Sequence, residues 1–474
     1  MTTEDKGLVK TLTTRDIFMA GVGLVVAAST LVSDFGGWFA GGRGFALALL
    51  AMFVANLLLG LSTSELATTY PKAGALYDYG AAATPGGKGA KTVVGVFLGF
   101  LFYAMFAFAG GGETTAGAAG AQGLFDGAGS LSLWIIILTI LAVIPNLLGI
   151  SVLAKIELWL VILMLSIRYF FGMAGFAGFS DAGGWSLSNV PTGDFSLTAV
   201  VALGGAFAFW SFVGIEFVAP LAEETRDPTR SIPRGIIWGL VAILVTSLFM
   251  GFGTLGSLDP AFGSAASPDA PQLSIGTAMF GDFGRILMAI GTVLATFSSM
   301  TVVYASMPRI LYGISRNGHF FGPLSKPFGS VHPRFRTPWV ASIVTAVVYV
   351  IVAISYGAVV EQIFTAAYVW ILLYAVYHVL VVASRYVNPN VTRPFKLPLI
   401  VPIVGFLFTM YLWWAAFKDP LDPADPASVT GHGFFGPRGL WIIGGSLVAA
   451  IISYALRGTA GVADHLEEEV HQEV

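Results

Sequence analysis

A carboxylate lies inside one of the most apolar stretches of the sequence. Ser211, Gly214 and Glu216 fall within two helical turns of one another in the run AFAFWSFVGIEF, which is otherwise hydrophobic. In hydrocarbon a carboxylate costs about 2.5 kcal/mol or more unless it is paired or hydrated. Glycine adopts backbone angles that free N–H and C=O groups, and free backbone at membrane depth persists only inside protein or beside a cavity. These residues predict an interrupted membrane helix that lines a small-molecule site.

The composition excludes several classes of function. The chain has 474 residues, of which 56% are hydrophobic and 11% charged, whereas soluble domains average about 25% charged residues. A net charge of −3 is too small to indicate a nucleic-acid partner, and the absence of cysteine excludes disulfides and thiolate metal sites. The six histidines are scattered and no nucleophile–base motif is present, so we expect neither an enzyme nor a cofactor or metal.

The elements that position these residues are apolar runs long enough to cross about 30 Å of hydrocarbon. Twelve such runs predict an all-α integral membrane protein with twelve transmembrane helices, near 15–40, 44–69, 93–120, 131–150, 152–177, 196–222, 234–257, 284–312, 338–356, 360–384, 398–417 and 438–456. Most of the 24 Lys and Arg residues fall in the connecting segments of one side, which predicts that both termini are cytoplasmic. The predicted parts are a cytoplasmic segment (1–14), a core of helices 1–10 (15–384), helices 11 and 12 (385–456) and a cytoplasmic tail (457–474). The N-terminus lacks a signal-peptide cleavage pattern.

The apolar run with the acid carries a recognisable motif. The sequence WSFVGIE (210–216), followed by AEE (222–224) and DPTRSIPR (227–234), resembles helix 6 and its following loop in the amino acid–polyamine–organocation (APC) superfamily. The WSF-x-G-x-E core is similar to that of the arginine/agmatine antiporters. This resemblance implies a LeuT-like five-plus-five inverted repeat in which helices 1 and 6 are broken. It also implies a secondary active transporter of the cytoplasmic membrane that moves an amino acid or small organic amine by alternating access.

Two alternatives to that function remain open. One is an exchanger of an amino acid for its amine product. The other is a transport-dead sensor on the same fold, because a fold alone does not define a function.

The same resemblance locates the break of helix 1 at Ala28, Ser29 and Thr30, where the family usually has Gly-Ser-Gly. The half-helix that follows presents its amides and positive dipole end, which suit a substrate carboxylate. Carbonyls freed before each break suit an ammonium, so an α-amino acid is the expected substrate. Alternatively, the hydroxyls of Ser29 and Thr30 bond back to their own helix.

The residues of the helix 6 motif have implied roles. Trp210 resembles the aromatic residue that closes over substrate in this superfamily, and aromatic faces also hold cations; the alternative is packing. Glu216 is similar to the glutamate that is linked to proton sensing in the antiporter branch. It could equally be a structural acid paired across the bundle.

A further acid follows a glycine run in helix 3. Glu113 comes directly after Gly110-Gly111-Gly112, and alignment with the antiporters implies a position facing the distal end of the substrate, where an acid favours a cationic headgroup. A straight helix that starts at Val93 instead places Glu113 near the outer surface, after about 30 Å. The sequence leaves both positions open.

Coupling residues are expected in helices 5 and 8. In proton-coupled relatives helix 5 can carry a lysine in place of a sodium ion, but counting along this sequence puts Met164 there. Ser298 and Ser299 resemble the paired hydroxyls of a sodium site, although serine pairs are common in membrane helices. Arg168 is interpreted as an interfacial or paired residue.

The predicted partners are a small-molecule substrate, a proton or sodium ion and the lipid bilayer, with no nucleic acid. The predicted substrate-binding residues are Ala28, Ser29, Thr30, Gly110, Glu113, Phe207, Trp210, Ser211 and Gly214. The predicted coupling or gating residues are Glu216, Met164, Ser298 and Ser299.

Overall fold

The structure is a computed structural model that describes residues 8–179, 181, 183–267, 270–356, 359–417 and 432–457. The first seven residues of the predicted N-terminal segment and the predicted tail after residue 457 lie outside the described residues.

The described chain is built from helices, with one isolated bridge between Leu12 and Thr225. The α-helices are α1 (Thr14–Val25), α2 (Ala28–Gly41), α3 (Arg43–Thr69), α4 (Leu76–Ala83), α5 (Lys88–Leu124), α6 (Leu131–Leu148), α7 (Ile150–Phe176), α8 (Leu197–Leu203), α9 (Pro228–Leu255), α10 (Phe262–Ala265), α11 (Pro271–Arg316), α12 (Ser325–Phe328), α13 (Trp339–Tyr356), α14 (Val359–Val387), α15 (Ile400–Phe417) and α16 (His432–Leu456). The remaining helical segments are a π segment (Gly204–Ala208) and three 3₁₀ segments (Leu187–Asn189, Ile215–Glu224 and Gly322–Leu324).

Among the described residues, nine helices are long and apolar enough to cross a membrane, and the bent pair α1 and α2 makes up to ten. Two of the predicted runs fall outside this number. The run 196–222 is divided into α8, the π segment and the 3₁₀ segment Ile215–Glu224. The other is the run 398–417, which contains α15. The apolar part of α15, Ile400–Ala415, is shorter than the spanning helices. The chain is an integral membrane protein with an all-helical fold.

The long helix α5 packs against α11, α14 and α4. Small residues make this packing close, as is usual between membrane helices. A Cβ atom at Gly117 would lie 2.3 Å from Oγ1 of Thr296 on α11, so only glycine allows this approach. The close contact brings the neighbouring turn of α5, which carries Glu113, against α11.

The glycines that precede Glu113 serve the opposite face of α5. A Cβ atom at Gly111 would lie 2.2 Å from Oε1 of Gln362, and one at Gly112 would lie 2.8 Å from Cγ2 of Ile363. Both neighbours belong to α14. The absent side chains therefore let α14 approach α5, and the space that they leave is filled by protein.

Candidate functional site

The first interrupted helix consists of α1 and α2, which are bent by 58°. The two residues between them have φ −78° and ψ 48° (Val26) and φ −77° and ψ 173° (Ala27). Neither φ is positive, so the break does not require glycine. The residues Ala28-Ser29-Thr30 can therefore form the first turn of α2 without the glycines of the family motif.

Glu113 of α5 lies against the N-terminus of α2. Its Oε1 accepts hydrogen bonds from the Ala28 N–H at 3.0 Å and from the hydroxyls of Thr296 at 2.8 Å and Ser299 at 3.0 Å. Its Oε2 accepts from the Ser29 N–H at 2.8 Å. The side chain is buried. A carboxylate at a helix N-terminus satisfies amides that have no partner within the helix, and it also meets the positive end of the helix dipole.

Arg168 of α7 lies on the other side of the same break. One guanidinium nitrogen donates to the carbonyls of Val26 and Ala27, each at 2.9 Å. The side chain is buried, and its charge interacts with those of Asp34 and Glu113. The Val26 carbonyl, and the Ala27 carbonyl that also accepts the Leu31 N–H of α2 at 3.3 Å, are thus held by a fixed positive charge from the protein itself.

Asp34 completes this buried group of charges. It lies on α2 and accepts hydrogen bonds on both carboxylate oxygens, one from the Ser211 hydroxyl and one from the Ser247 hydroxyl at 2.8 Å. Ser211 therefore links the second interrupted helix to α2. Its hydroxyl faces Asp34, and it is not among the residues that line the central cavity in the described structure.

The second interrupted helix has a longer break than the first. After α8 the chain passes through the π segment, continues as turns and resumes at Ile215 as a 3₁₀ segment. Gly214 has φ 106°, a region that L-residues with side chains rarely adopt. A Cβ atom there would also lie 2.1 Å from Cδ2 of Leu24 on α1. Glycine is needed at this position for both its backbone angle and its close contact with the first interrupted helix.

Trp210 and Glu216 flank this second break and share a neighbour. The Trp210 indole N–H donates to the Ser29 hydroxyl at 2.9 Å, and its ring meets the ring of Trp370 edge-on with centroids 5.7 Å apart. Glu216 is fully buried and accepts from the Trp370 indole N–H at 2.5 Å and from the Tyr374 hydroxyl at 3.1 Å. Trp370 of α14 thus connects the two residues that the helix 6 motif singled out.

A cavity of about 30 Å³ lies between the two breaks. This volume holds a water molecule or two and is too small for an amino acid. In this conformation a substrate can enter only if the helices move apart. The lining residues are Leu24, Ala27, Ser29, Thr30, Phe106, Ala109, Glu113, Trp210, Val213, Ser299, Val303 and Trp370.

The predicted coupling serines both face carboxylates. The Ser298 hydroxyl donates to Oε1 of Glu157 at 2.5 Å, and the Ser299 hydroxyl donates to Oε1 of Glu113. Both of these hydrogen bonds therefore have an acid as the acceptor.

Glu157 of α7 is the acid that faces Ser298. It is buried, and its second oxygen has no hydrogen-bond partner in the part of the chain that the structure describes. A Cβ atom at Gly23 of α1 would lie 1.7 Å from its Oε1, so α1 passes directly over the carboxyl group. Met164, two turns further along α7, is fully buried in the hydrophobic core.

Two other predicted site residues lie away from the described cavity lining. A Cβ atom at Gly110 would meet the ring of Tyr349 at 3.2 Å, so Gly110 faces α13. The ring of Phe207 lies over Gly36 of α2, where a Cβ atom would be 2.9 Å from it. Phe207 therefore packs the second interrupted helix against the first, beyond the cavity.

Thr30 reaches the cavity, but its hydroxyl has a partner in the same interrupted helix. It donates to the carbonyl of Val25 at 2.5 Å, across the break. This bond satisfies another of the carbonyls at the end of α1.

Ion pairs close one end of the bundle, which we call the basic end. Glu224, at the end of the 3₁₀ segment, forms a buried salt bridge with Arg309 of α11. Glu223 pairs with Arg316 at 2.8 Å and accepts from the Ala73 N–H at 2.8 Å. These contacts join the second interrupted helix to α11 and to the connection between α3 and α4.

Asp78 of the short helix α4 lies at the same end. Burial raises its pKa to about 6, whereas the charges of Arg316 and Lys72 act in the opposite direction. A carboxyl group with this pKa changes its charge just below neutral pH.

Asp34 and Glu157 are not among the site residues predicted from the sequence. Both are acids within apolar runs, and such residues are expensive in lipid and therefore face protein or water. The rule that drew attention to Glu216 would have identified both. No spacing rule would have given their partners, because Asp34 meets serines more than 170 residues away along the chain.

The similarity of the chain to known proteins identifies its family. The family model described as "Amino acid permease" matches residues 12–447. The branched-chain amino acid permease BcaP of Bacillus subtilis is 25% identical, over 87% of this chain and 89% of the permease. The methylthioribose transporter of the same organism is 24% identical over 95% of each chain. The low-affinity putrescine importer PlaP of Escherichia coli K12 is 27% identical over 62% of each chain. The chain therefore belongs to the amino acid permease family of the APC superfamily and is a transporter of amino acids or amines, not an enzyme.

Proposed function

We propose that this chain is a secondary active transporter that binds its substrate at the cavity between the two interrupted helices and works by alternating access. The observation that carries the proposal is the meeting of both breaks at one buried cavity, where Trp210 of the second helix donates to Ser29 of the first. Many secondary transporters form their substrate site where interrupted helices meet. The proposed substrate is an amino acid or a small organic amine.

The proposed architecture has twelve transmembrane helices, of which helices 1–10 (15–384) form a LeuT-like five-plus-five inverted repeat and helices 11 and 12 (385–456) lie outside it. The bend between α1 and α2 and the divided run 196–222 support this proposal, because an inverted repeat places corresponding breaks in both halves. The segments 1–14 and 457–474 are proposed to be cytoplasmic extensions.

We propose that the basic end faces the cytoplasm and that the protein resides in the cytoplasmic membrane. The excess of Lys and Arg on one side supports this orientation. The chain contains no cysteine, so single cysteines can be labelled without background. An impermeant maleimide added to intact cells should label Ser188→Cys and leave Lys326→Cys unlabelled; both side chains are exposed. The reverse pattern would invert the orientation.

We propose that transport is either coupled to a proton or works by substrate exchange, and we rank sodium coupling below both. Ser298 donates to Glu157 and Ser299 donates to Glu113. Met164 lies on α7, the predicted helix 5, and supplies no charge there. Glu157 is a candidate proton carrier, since its second oxygen lacks a partner within the described structure. Glu216 is the other candidate, although both of its oxygens accept hydrogen bonds. The resemblance of the helix 6 motif to the antiporter branch keeps exchange open.

Proteoliposomes can separate these mechanisms. Under proton coupling, an inward proton gradient should accelerate uptake, and Glu157→Gln should abolish this acceleration more completely than Glu216→Gln. Uptake that depends on external sodium would contradict the ranking of proton coupling and exchange above sodium coupling. Acceleration by internal substrate alone would assign exchange.

The proposed function itself is tested by saturable uptake into proteoliposomes of a panel that contains lysine, arginine, putrescine, ethanolamine, alanine and 4-aminobutyrate. Trp210→Ala should abolish saturable uptake or weaken it severely while the protein remains folded. Trp159→Ala is the matched control, because Trp159 lies 64% exposed on α7. Binding without flux would instead support a sensor. Equal uptake by the two variants would show that Trp210 is not part of the substrate site.

A further inference from the structure

We infer that the substrate is a small organic cation that carries no carboxylate, an inference that rests on the proposed function of the central cavity. The observation is that Glu113 already occupies the N-terminus of α2. In an amino acid transporter of this architecture, the same amides would receive the substrate carboxylate. Here the N–H groups of Ala28 and Ser29 point at the two oxygens of Glu113.

The hydroxyls around Glu113 strengthen this assignment. Thr296 and Ser299 both donate to Oε1, which therefore accepts three hydrogen bonds in total. Hydrogen bonds to a charged acceptor are about twice as strong as neutral ones. The amides, the hydroxyls and the dipole of α2 thus form a complete binding site for a carboxylate, and that carboxylate belongs to the protein.

A second carboxylate has no place beside the first. The cavity measures about 30 Å³ and includes Glu113 in its lining, so expansion is needed before any substrate enters. Even after expansion, a substrate carboxylate at these amides would be in contact with Glu113. Two carboxylates at such a short distance cannot both stay ionised. An amino acid would have to displace Glu113 from four hydrogen-bond donors.

The position for a substrate ammonium at this break is also taken. The guanidinium of Arg168 donates to the carbonyls of Val26 and Ala27, the two residues between α1 and α2. Glu113 and Arg168 together match the two charges of a zwitterion. The first interrupted helix therefore needs neither the carboxylate nor the ammonium of an amino acid.

The remaining walls favour a cation. The rings of Phe106, Trp210 and Trp370 line the cavity, and aromatic faces attract cations. Besides Glu113 and the hydroxyl residues Ser29, Thr30 and Ser299, the other lining residues are aliphatic, so an ammonium group on a small apolar body fits the chemistry.

The experiment compares each amine with the amino acid that differs from it only by a carboxylate. The pairs are isoamylamine and leucine, putrescine and ornithine, agmatine and arginine, and ethanolamine and serine. Wild-type proteoliposomes first identify which radiolabelled amine or amino acid enters saturably, and the panel then competes with it. We expect an amine to enter and the inhibition constant of that amine to be at least tenfold lower than that of its parent amino acid.

Other results have distinct meanings. If an amino acid enters and competes as well as or better than its amine, the inference is wrong and the transport function stands. If neither member of any pair enters saturably, the proposed function fails and the inference fails with it.

Variants at Glu113 test the cause of the preference. Glu113→Ala frees the amides of Ala28 and Ser29, so the ratio of amine to amino acid affinity should fall at least tenfold. Glu113→Gln keeps the shape and serves if the alanine variant does not fold. The matched control is Glu361→Ala, which removes an acid paired with Arg438 and should leave the ratio unchanged. An unchanged ratio in a folded Glu113 variant would overturn the assignment, and the wild-type comparison still decides the substrate class if neither variant folds.

Discussion

The two interrupted helices satisfy their freed backbone groups in different ways. At the first break, charged side chains from α5 and α7 hold the amides and carbonyls, through Glu113 and Arg168. At the second break, the backbone turns at Gly214, whose N–H lies 3.4 Å from the Tyr374 hydroxyl. Charge-assisted hydrogen bonds are about twice as strong as neutral ones, so the first break is the more firmly held.

Because of this difference, we expect the two helices to behave differently when the cavity opens. A break held by buried charges costs much to rearrange, because each separated charge would lose its partner in a medium of low dielectric. The second break turns on a glycine and is packed by aromatic rings, and its acid Glu216 has neutral hydrogen-bond donors as partners, so rearrangement there costs less. We therefore expect the second interrupted helix to move first when the cavity opens, while the first keeps its shape.

The largest expected effect comes from removing the cation at the first break. Arg168→Met removes the side-chain donor to the carbonyls of Val26 and Ala27 and the positive charge that interacts with Asp34 and Glu113. Breaking a buried charge group in this way costs about 3–5 kcal/mol. The midpoint of thermal unfolding in detergent should fall far below that of Arg230→Met, whose side chain is 73% exposed. Equal midpoints would show that the first break does not depend on its charges.

A smaller effect is expected at the glycine of the second break. Gly214→Ala places a methyl group 2.1 Å from Leu24 at a φ of 106°, and a residue held in such a conformation costs about 1–3 kcal/mol. Gly444→Ala is the control, since nothing lies within 4 Å of its added methyl group. In a helix this change should be neutral or stabilising by up to about 1 kcal/mol. Similar unfolding midpoints for the two variants would contradict the role given to Gly214.

The smallest effect concerns the hydrogen bond that joins the two breaks. Trp210→Phe keeps an aromatic ring and removes the indole N–H, and Ser29→Ala removes its acceptor. The double variant should be less destabilised than the sum of the single variants by about 0.5–1.5 kcal/mol, the net contribution of a neutral hydrogen bond. Thermal unfolding of the four proteins measures this coupling energy. Strict additivity would mean that the two breaks are energetically independent at this contact.

Several features of the fold and site could be read from the sequence because they depend on local chemistry. The acid at Glu216 had to avoid lipid, and it is fully buried. The glycine at Gly214 indicated unusual backbone, and it has the positive φ that such a position requires. The twelve-helix arrangement and the roles of the site residues stay predictions.

Other features were left open by the sequence for a physical reason. Glu113 had two positions to choose from along a single helix, and its contact with α2 depends on how α5 packs against α11 through Gly117. Arg168 was read as interfacial or paired, and it is buried against the carbonyls of a helix more than 140 residues earlier in the chain. Contacts over such separations have no local sequence signature.

The sequence by itself determined that this chain is an apolar, helical membrane protein with an interrupted helix at Gly214 and buried acids that need partners, because the cost of charge and free backbone in hydrocarbon depends only on residue type and depth. Only the tertiary structure decided which partners those acids have. Glu113 and Arg168 meet the same break from different helices, and their pairing follows from the three-dimensional packing of helices that the linear order does not specify.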